Sequence, residues 1–193
     1  MKKEEYFKKE LSYIKNKKVI KDLKYLIELL PDYFFEIPAS STGKYHPSYA
    51  LGEHGLIRHT KAAVRIAYEL FDDESICKFS KDDQDLIIIA LILHDSFKSG
   101  NPQEKYTRAD HPLLVSNFIM EHQKDLSLDI ESLRKVCSMI ESHMGPWNID
   151  YKTKEEILPK PKTAYERFVH MCDYLASRKC LLVPFDDDNN ISV

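Results

Sequence analysis

Residues 85–98 read DLIIIALILHDSFK, in which an unbroken apolar run over residues 86–93 ends abruptly at His94 and Asp95. The run is too long for an ordinary buried strand and too short to span a membrane, so it predicts an α-helix buried on most sides. Burying a histidine and a carboxylate at the end of such a helix is costly unless a partner compensates them. A metal ion suits both, because imidazole and carboxylate are ligands for zinc, iron and manganese.

Composition indicates a helical protein with one domain. A length of 193 residues is enough for a full hydrophobic core, and a count of only 5 glycines argues against a turn-rich β protein. The formal net charge of -3 excludes a strong overall basic field for nucleic acid, although it leaves a local basic patch open. The four cysteines form no C-x-x-C pair, and the first residues lack a signal-peptide core. We therefore expect a cytoplasmic protein with reduced cysteines, no disulfide partner and no membrane segment.

Apolar residues at helical spacing recur along most of the chain and predict an all-α fold, a single bundle of six or seven helices. The predicted helices cover residues 4–30 (as one or two helices), 54–71, 82–93, 112–123, 129–143 and 163–182. Proline-bearing polar segments predict loops over residues 34–51 and 151–162. We expect residues 1–33 to be a helical segment packed on the core, residues 34–183 the main domain, and residues 184–193 a disordered acidic tail.

Side chains with metal-ligating chemistry lie at or near the end or inner face of several predicted helices. They are His59, His94, Asp95, His111, His143 and Asp173. Neighbouring residues on a regular helix point about 100° apart, so His94 and Asp95 would not readily share one centre. At a helix terminus the second residue can turn inward, and a carboxylate there can bridge two ions.

The ordered set His59, His94-Asp95 and Asp173 resembles the HD-domain superfamily of metal-dependent phosphohydrolases. Four local motifs are similar to those in the HD domain of bacterial 3′–5′ exoribonucleases. These motifs are HPSYALGEHGLIRHT (residues 46–60), LILHDSFK (91–98), ESHMG (141–145) and VHMCDYLASR (169–178). The resemblance covers roughly residues 34–179, and it implies an HD-type phosphohydrolase domain over residues 34–183.

The resemblance also implies roles for individual residues and a cofactor of one or two divalent ions, manganese, iron, cobalt or zinc. A first ion would be held by His59, His94, Asp95 and Asp173. A second ion would be held by Asp95, His111 and His143, the two histidines having a helix-end or packing role as the alternative. Asp95 and Lys98 would act in catalysis, Lys98 by contacting a phosphoryl oxygen or orienting the water. His170 is expected to be a hydrogen-bonding partner of the site rather than a ligand.

Further side chains are predicted to contact a phosphorylated substrate, although each one, taken alone, is also an ordinary surface or packing residue. The predicted substrate contacts are Lys44, Arg58, Trp147, Lys160, Lys162 and Arg178. Trp147, together with Tyr45 and Tyr49, has a ring that can stack on a base. For His46 and His54 the sequence leaves two roles open: each could approach the site from the loop, or each could have a structural role within the loop.

Two departures from the exoribonuclease pattern bear on the expected substrate. Met144 stands where that family has a second histidine, and residues 1–32 are too few for its nucleic-acid-binding domain. The expected function is therefore hydrolysis of a phosphoester or phosphoanhydride bond in a nucleotide or short oligonucleotide by a metal-activated water. The alternatives are a nucleotidase or nucleoside triphosphohydrolase, a non-catalytic metal-containing nucleotide-binding module, and a di-iron oxygenase. The oligomeric state stays open, a homodimer included.

Overall fold

The computed structural model describes residues 2–192, and within that range it is helical. The α-helices are α1 (Lys8–Leu11), α2 (Lys17–Leu29), α3 (Tyr33–Glu36), α4 (Gly55–Leu70), α5 (Lys81–Leu93), α6 (His111–Glu121), α7 (Ile130–Glu141) and α8 (Ala164–Ala176). Short 3₁₀ helices cover Lys3–Phe7, Ser48–Ala50 and Gln123–Asp125. The only extended pairings in the described range are two isolated bridges, Ile149 with Glu156 and Phe185 with Ile191.

The all-α prediction is confirmed, with eight α-helices rather than six or seven. The helix beyond the predicted seven is α3, since α1 and α2 both fall within the segment predicted as one or two helices, and α1 and α3 have only four residues each. Such single turns carry too little periodic signal to be told from loop, and α3 overlaps the start of the segment predicted as a loop. None of the described helices is both long enough and apolar enough to cross a membrane.

Helix α5 is the centre of the bundle. Every residue from Leu86 to Leu93 is at most 6% exposed, because α4, α7, α8 and α2 all pack against this helix. Ser80 caps its start by accepting a hydrogen bond from the Asp83 backbone N–H. A helix that is apolar on all sides is stable in water only when it is covered in this way, as the sequence predicts.

The end of α5 places two consecutive residues in the same buried region. The His94 N–H still donates to the Ala90 carbonyl at 2.9 Å, and the chain then tightens into a turn in which the Lys98 N–H donates to the Asp95 carbonyl at 3.0 Å. The turn ends at Gly100, whose φ of +82° is readily adopted only by glycine. The side chains of His94 and Asp95 are both buried at this helix end.

The N-terminal helices pack on the same core as the rest of the chain. Phe7, Leu23 and Ile27 are fully buried in the core cluster that also contains α5. The Asp85 carboxylate on α5 accepts hydrogen bonds from the backbone N–H groups of Lys15 and Asn16, at 3.0 and 2.8 Å. This carboxylate therefore ties the turn between α1 and α2 to the central helix.

The acidic C-terminal segment lies against α4. Residues 185–191 form a closed turn, in which the Asp186 carboxylate accepts from two backbone N–H groups and Ile191 is buried. The physical reason lies on α4, where the buried Lys61 ammonium donates to the Asn189 carbonyl at 2.9 Å and to Asn190 Oδ1 at 3.1 Å. A buried ammonium needs acceptors, and the turn supplies them, while Asp187 stays solvated as expected.

Replacing Asp85 tests the tie between the N-terminal turn and α5. In Asp85→Ala we expect the free energy of unfolding to fall by about 2 kcal/mol, because the partly buried N–H groups lose their acceptor. Asp85→Asn, which keeps one acceptor oxygen, should lose less, and Asp187→Ala should be unchanged. Urea denaturation followed by circular dichroism gives the values, and equal stability of all three variants would contradict the role of Asp85.

Candidate metal centre

The packing of α4 against α8 brings the first pair of predicted ligands together. His59 Nε2 on α4 lies 2.9 Å from Asp173 Oδ1 on α8. His94 Nε2, at the end of α5, lies 3.5 Å from the same aspartate oxygen. Three elements far apart in the sequence therefore place nitrogen and oxygen donors around one point.

Asp95 lies between this group and a second one, and its two oxygens face opposite ways. Oδ2 is 3.5 Å from His94 Nε2 and 3.9 Å from His59 Nε2. Oδ1 is 2.9 Å from His111 Nε2 and 3.7 Å from His143 Nε2. A carboxylate with this arrangement can serve as a ligand on both sides at once.

Burial leaves some of these nitrogens without a hydrogen-bonding partner. The four histidines and Asp95 are at most 2% exposed, yet His94 Nε2 and His111 Nε2 have no hydrogen-bonding partner among the described residues. The short contact of His111 with Asp95 is therefore a close approach rather than an aligned hydrogen bond. Buried polar atoms normally have partners, so orphaned nitrogens that face a carboxylate fit a site for a cation.

The other ring nitrogen of three histidines is fixed by the backbone. Each Nδ1 lies 2.7 Å from the carbonyl oxygen three residues earlier in the chain. The pairs are His94 with Leu91, His111 with Arg108, and His143 with Ile140. Since a carbonyl oxygen only accepts, Nδ1 carries the proton and Nε2 presents its lone pair toward Asp95, which is the tautomer a metal ligand needs.

The charge states also fit a cation. Burial raises the pKa of the Asp95 carboxyl, but the nearby Lys98 ammonium, His94 and the close contacts of His111 and His143 outweigh it and hold that pKa well below its usual range. Burial also raises the pKa of the Asp173 carboxyl, but its short contact with His59 and the nearby His94 outweigh burial and hold that pKa well below the usual range. Burial lowers the pKa of His143. The site thus offers anionic carboxylates and a neutral imidazole.

Two groups of donors meet the spacing of a metal site. One is His59, His94 and Asp173, and the other is His94, Asp95 and His143, with all donor atoms of each group within 4.8 Å of one another. Mixed nitrogen and oxygen donors suit zinc, iron, manganese and cobalt. The residues present therefore fit one or two divalent ions, with Asp95 able to contact both.

Comparison with protein families identifies the fold around this site. A family model described as the HD domain matches residues 56–178, well over half of the chain. The chain belongs to the HD-domain family. Searches of curated proteins and of solved structures gave no significant match. The HD domain defines a superfamily of metal-dependent phosphohydrolases, and the match gives no support for a closer relation to the exoribonuclease branch.

A cavity of about 350 Å³ opens onto the metal centre of the HD domain. Asp95, His143 and Asp173 lie at its polar end, together with Lys98, whose Nζ is 2.5 Å from Asp95 Oδ2. The remaining lining residues are Tyr45, His46, Met144, Trp147, Tyr151, Tyr174, Ser177 and Arg178. The cavity therefore joins the candidate ligands to a largely aromatic wall.

The structure brings two of the predicted substrate contacts, Trp147 and Arg178, to this cavity. Lys44 is exposed outside the lining, with its Nζ 5.5 Å from the centre of the Tyr45 ring. Lys160 is also outside, paired with Glu156 on the exposed loop, and the exposed Lys162 is outside as well. Lys160 and Lys162 do not reach the site because the loop over residues 151–162 presents them to solvent, and Lys44 is exposed in the loop before α4.

Arg58, also predicted to contact substrate, does not line the HD-domain cavity. Its guanidinium donates to the carbonyl oxygens of Leu51 and Glu53, at 2.8 and 2.9 Å, and to Asn189 Oδ1 at 2.5 Å. With its donors committed in this way, Arg58 holds the loop before α4 and the C-terminal turn in place. Its neighbour His59 points the other way, because adjacent helical residues diverge.

Other histidines have supporting positions. His170 Nδ1 donates to the His143 carbonyl at 2.6 Å, so His170 orients the turn that carries His143 rather than facing Asp173. His46 lines the cavity with its ring edge-on to His59 at 5.0 Å, and burial lowers its pKa to about 3. His54 is placed in the loop, with Nδ1 2.5 Å from the Phe35 carbonyl.

Sequence reasoning missed three lining residues, Tyr151, Tyr174 and Ser177. Ser177 follows Asp173 by four residues, which places both on one face of the helical turn and was a usable signal. Tyr174 precedes Arg178 by the same interval. Tyr151 lies in an irregular loop, where no periodicity could have indicated its direction.

Removing ligands one group at a time tests the two-sided role of Asp95. We expect two divalent ions per chain in the wild type, about one in His111→Ala, and loss of both in Asp95→Ala, because Asp95 lies within 3.9 Å of histidines predicted to hold each ion. Elemental analysis by plasma mass spectrometry after manganese or zinc loading gives the counts. His122→Ala, a histidine outside the site, is the control, and a wild-type metal content in Asp95→Ala would contradict the assignment.

Proposed function

We propose that this chain is a metal-dependent phosphohydrolase that cleaves a phosphoester or phosphoanhydride bond of a nucleotide or short oligonucleotide. The observation that carries the proposal is the position of Asp95, which faces two groups of buried histidines at the polar end of a cavity. Its carboxylate lies 2.9 Å from His111 on one side and 3.5 Å from His94 on the other. Family membership adds support at the level of the superfamily.

In the proposed chemistry, the ions activate a water molecule and neutralise charge, while residues of the chain hold and orient the ions. One or two bound ions would acidify a water near neutral pH and offset the negative charge that builds on the phosphoryl oxygens. His59, His94, Asp95 and Asp173 would hold the first ion, and Asp95, His111 and His143 the second. The backbone carbonyls behind the Nδ1 atoms would keep the histidines oriented as the substrate changes charge.

Lys98 is the proposed phosphate contact. Its ammonium lies 2.5 Å from Asp95 Oδ2, and its side chain is only 12% exposed, so it is held at the boundary between the carboxylate and the cavity. An ammonium has three donors, and one bond to Asp95 leaves others for a phosphoryl oxygen. Lys98 would therefore place the phosphorus atom beside Asp95 and share the charge of the transition state.

The lining supports a small phosphorylated substrate with an aromatic part. A volume of about 350 Å³ is at the lower end of the range for small-molecule sites, which favours a nucleotide or short oligonucleotide over a long polymer. Polar ligands at one end and tyrosine and tryptophan rings along the wall match a phosphate joined to a base. Four free thiols accord with our proposed location, the cytoplasm.

A hydrolysis screen tests the reaction class. Purified protein loaded with manganese, iron, cobalt or zinc should release p-nitrophenol from bis-p-nitrophenyl phosphate if it is a diesterase. Release from p-nitrophenyl phosphate, or from nucleoside mono- and triphosphates, would make it a nucleotidase or triphosphohydrolase. Metal bound without turnover on any of these substrates would reject hydrolysis and leave the non-catalytic binding module, and mixed-valent di-iron signals would favour the oxygenase.

Substituting Lys98 tests the phosphate contact apart from metal binding. Lys98→Ala should lower kcat/KM on the order of a hundredfold, because a charged donor to the phosphoryl group is lost. Its metal content should not fall, since Lys98 is not a ligand. Lys124→Ala, an exposed lysine on the Gln123–Asp125 turn, serves as the control and should keep full activity. Unchanged kinetics in Lys98→Ala would remove this residue from the mechanism.

A further inference from the structure

Aromatic rings that are unusually exposed gather on one wall of the cavity. Tyr45, Trp147, Tyr151 and Tyr174 are 63%, 46%, 71% and 36% exposed, and all four line the same space. Large apolar side chains exposed singly are ordinary, but a group of them facing a concave site marks a surface for an apolar ligand part. The aromatic wall of the cavity therefore favours a ligand with a flat, weakly polar face.

Two of these rings are already stacked on one another. Trp147 and Tyr174 are nearly parallel, with an interplanar angle of 14° and ring centres 5.9 Å apart. The guanidinium of Arg178 lies over the Tyr174 ring, with Cζ 4.1 Å from its centre. No carboxylate forms an ion pair with Arg178 among residues 2–192. Ring and cation thus form a preformed stack beside the cavity.

The turn after α7 fixes Trp147 relative to the metal centre. This turn carries His143 and Trp147 four residues apart, and the Trp147 N–H donates to the Met144 carbonyl at 3.1 Å. Gly145, at a φ of +58°, lies so close to His170 that an added Cβ would be 2.3 Å from the imidazole Cε1. His170 in turn donates to the His143 carbonyl. A candidate metal ligand and the exposed indole are therefore held in one rigid piece.

We propose that Trp147 and Tyr174, backed by Arg178, form a stacking platform for the nucleobase of the substrate. The inference deepens the proposed function and rests on it for the position of the phosphate beside Asp95. Every nucleobase has a flat π face that stacks on tryptophan or tyrosine without a sequence-specific hydrogen bond. A base on this platform would place the phosphate of the same nucleotide toward the polar end of the cavity.

Trp147 is the single tryptophan of the chain, so its fluorescence reports on the platform directly. Adenosine 5′-monophosphate and adenosine should quench this fluorescence in a saturable way, because both carry a base. Ribose 5-phosphate should not quench it. N-acetyltryptophanamide in the same solutions corrects for light absorbed by the base. Equal quenching by ribose 5-phosphate, or no saturable quenching by the two base-bearing ligands, would overturn the platform.

Variants separate stacking from a general effect on the site. Trp147→Ala should weaken the binding of adenosine 5′-monophosphate to metal-loaded protein on the order of tenfold or more, as calorimetry can measure. Its affinity for ribose 5-phosphate should stay unchanged, and Trp147→Phe should recover most of the lost affinity. Tyr25→Ala removes a ring that is 38% exposed and lies outside the cavity, and it should bind as the wild type does.

The two proposals fail in different ways. Base-dependent binding that needs Trp147, without turnover on any phosphate compound, would keep the platform and reject the phosphohydrolase. Hydrolysis that is equally efficient for adenosine 5′-monophosphate and ribose 5-phosphate, and equally fast in Trp147→Ala, would keep the phosphohydrolase and reject the platform. An equal loss of affinity for both ligands in Trp147→Ala would also reject it, because a change in the metal centre would then explain the loss. If Trp147→Ala failed to fold, the wild-type fluorescence and Trp147→Phe would still decide.

Discussion

A buried carboxylate between two sets of buried histidines is the constraint on which the rest of this structure depends. Asp95 is 2% exposed, and a charge at such a position is tolerated only when other groups compensate it. Lys98 supplies one full charge at 2.5 Å, and four imidazoles surround the two oxygens. The apolar helix α5 buries this carboxylate, and the surrounding helices have to supply what it needs.

The groups that compensate the buried Asp95 carboxylate lie mostly at the ends of helices. His94 and Asp95 follow the last turn of α5, His111 begins α6, and His143 follows α7. At these positions the backbone carbonyl three residues earlier accepts from Nδ1, and this bond is repeated at all three histidines. His59 differs because it lies within α4, where the carbonyls are used by the helix, and it meets Asp173 instead. The orientation of the site therefore follows from where helices end.

In the proposed function, chemistry and recognition would occupy different parts of the cavity. The polar end is formed by groups whose charge suits a cation and a phosphate, and it follows from the HD-domain fold. The wall with Trp147, Tyr174 and Arg178 comes from the turn after α7 and the end of α8, outside the buried core. Because one fold hosts many functions, the substrate has to be argued from this wall rather than from the family.

The sequence by itself determined the helical class, the burial of residues 86–93, and the order of the ligand motifs, because apolar spacing and residue type are local properties. It also indicated Trp147 as a substrate contact. It could not distinguish Arg178, which lines the cavity, from Arg58, whose donors hold a loop, because both are arginines near a ligand motif. The contact between the acidic tail and Lys61 could not be read from the sequence either, because the two lie more than a hundred residues apart. Only the tertiary structure decided which face each side chain presents, because that depends on packing between distant helices.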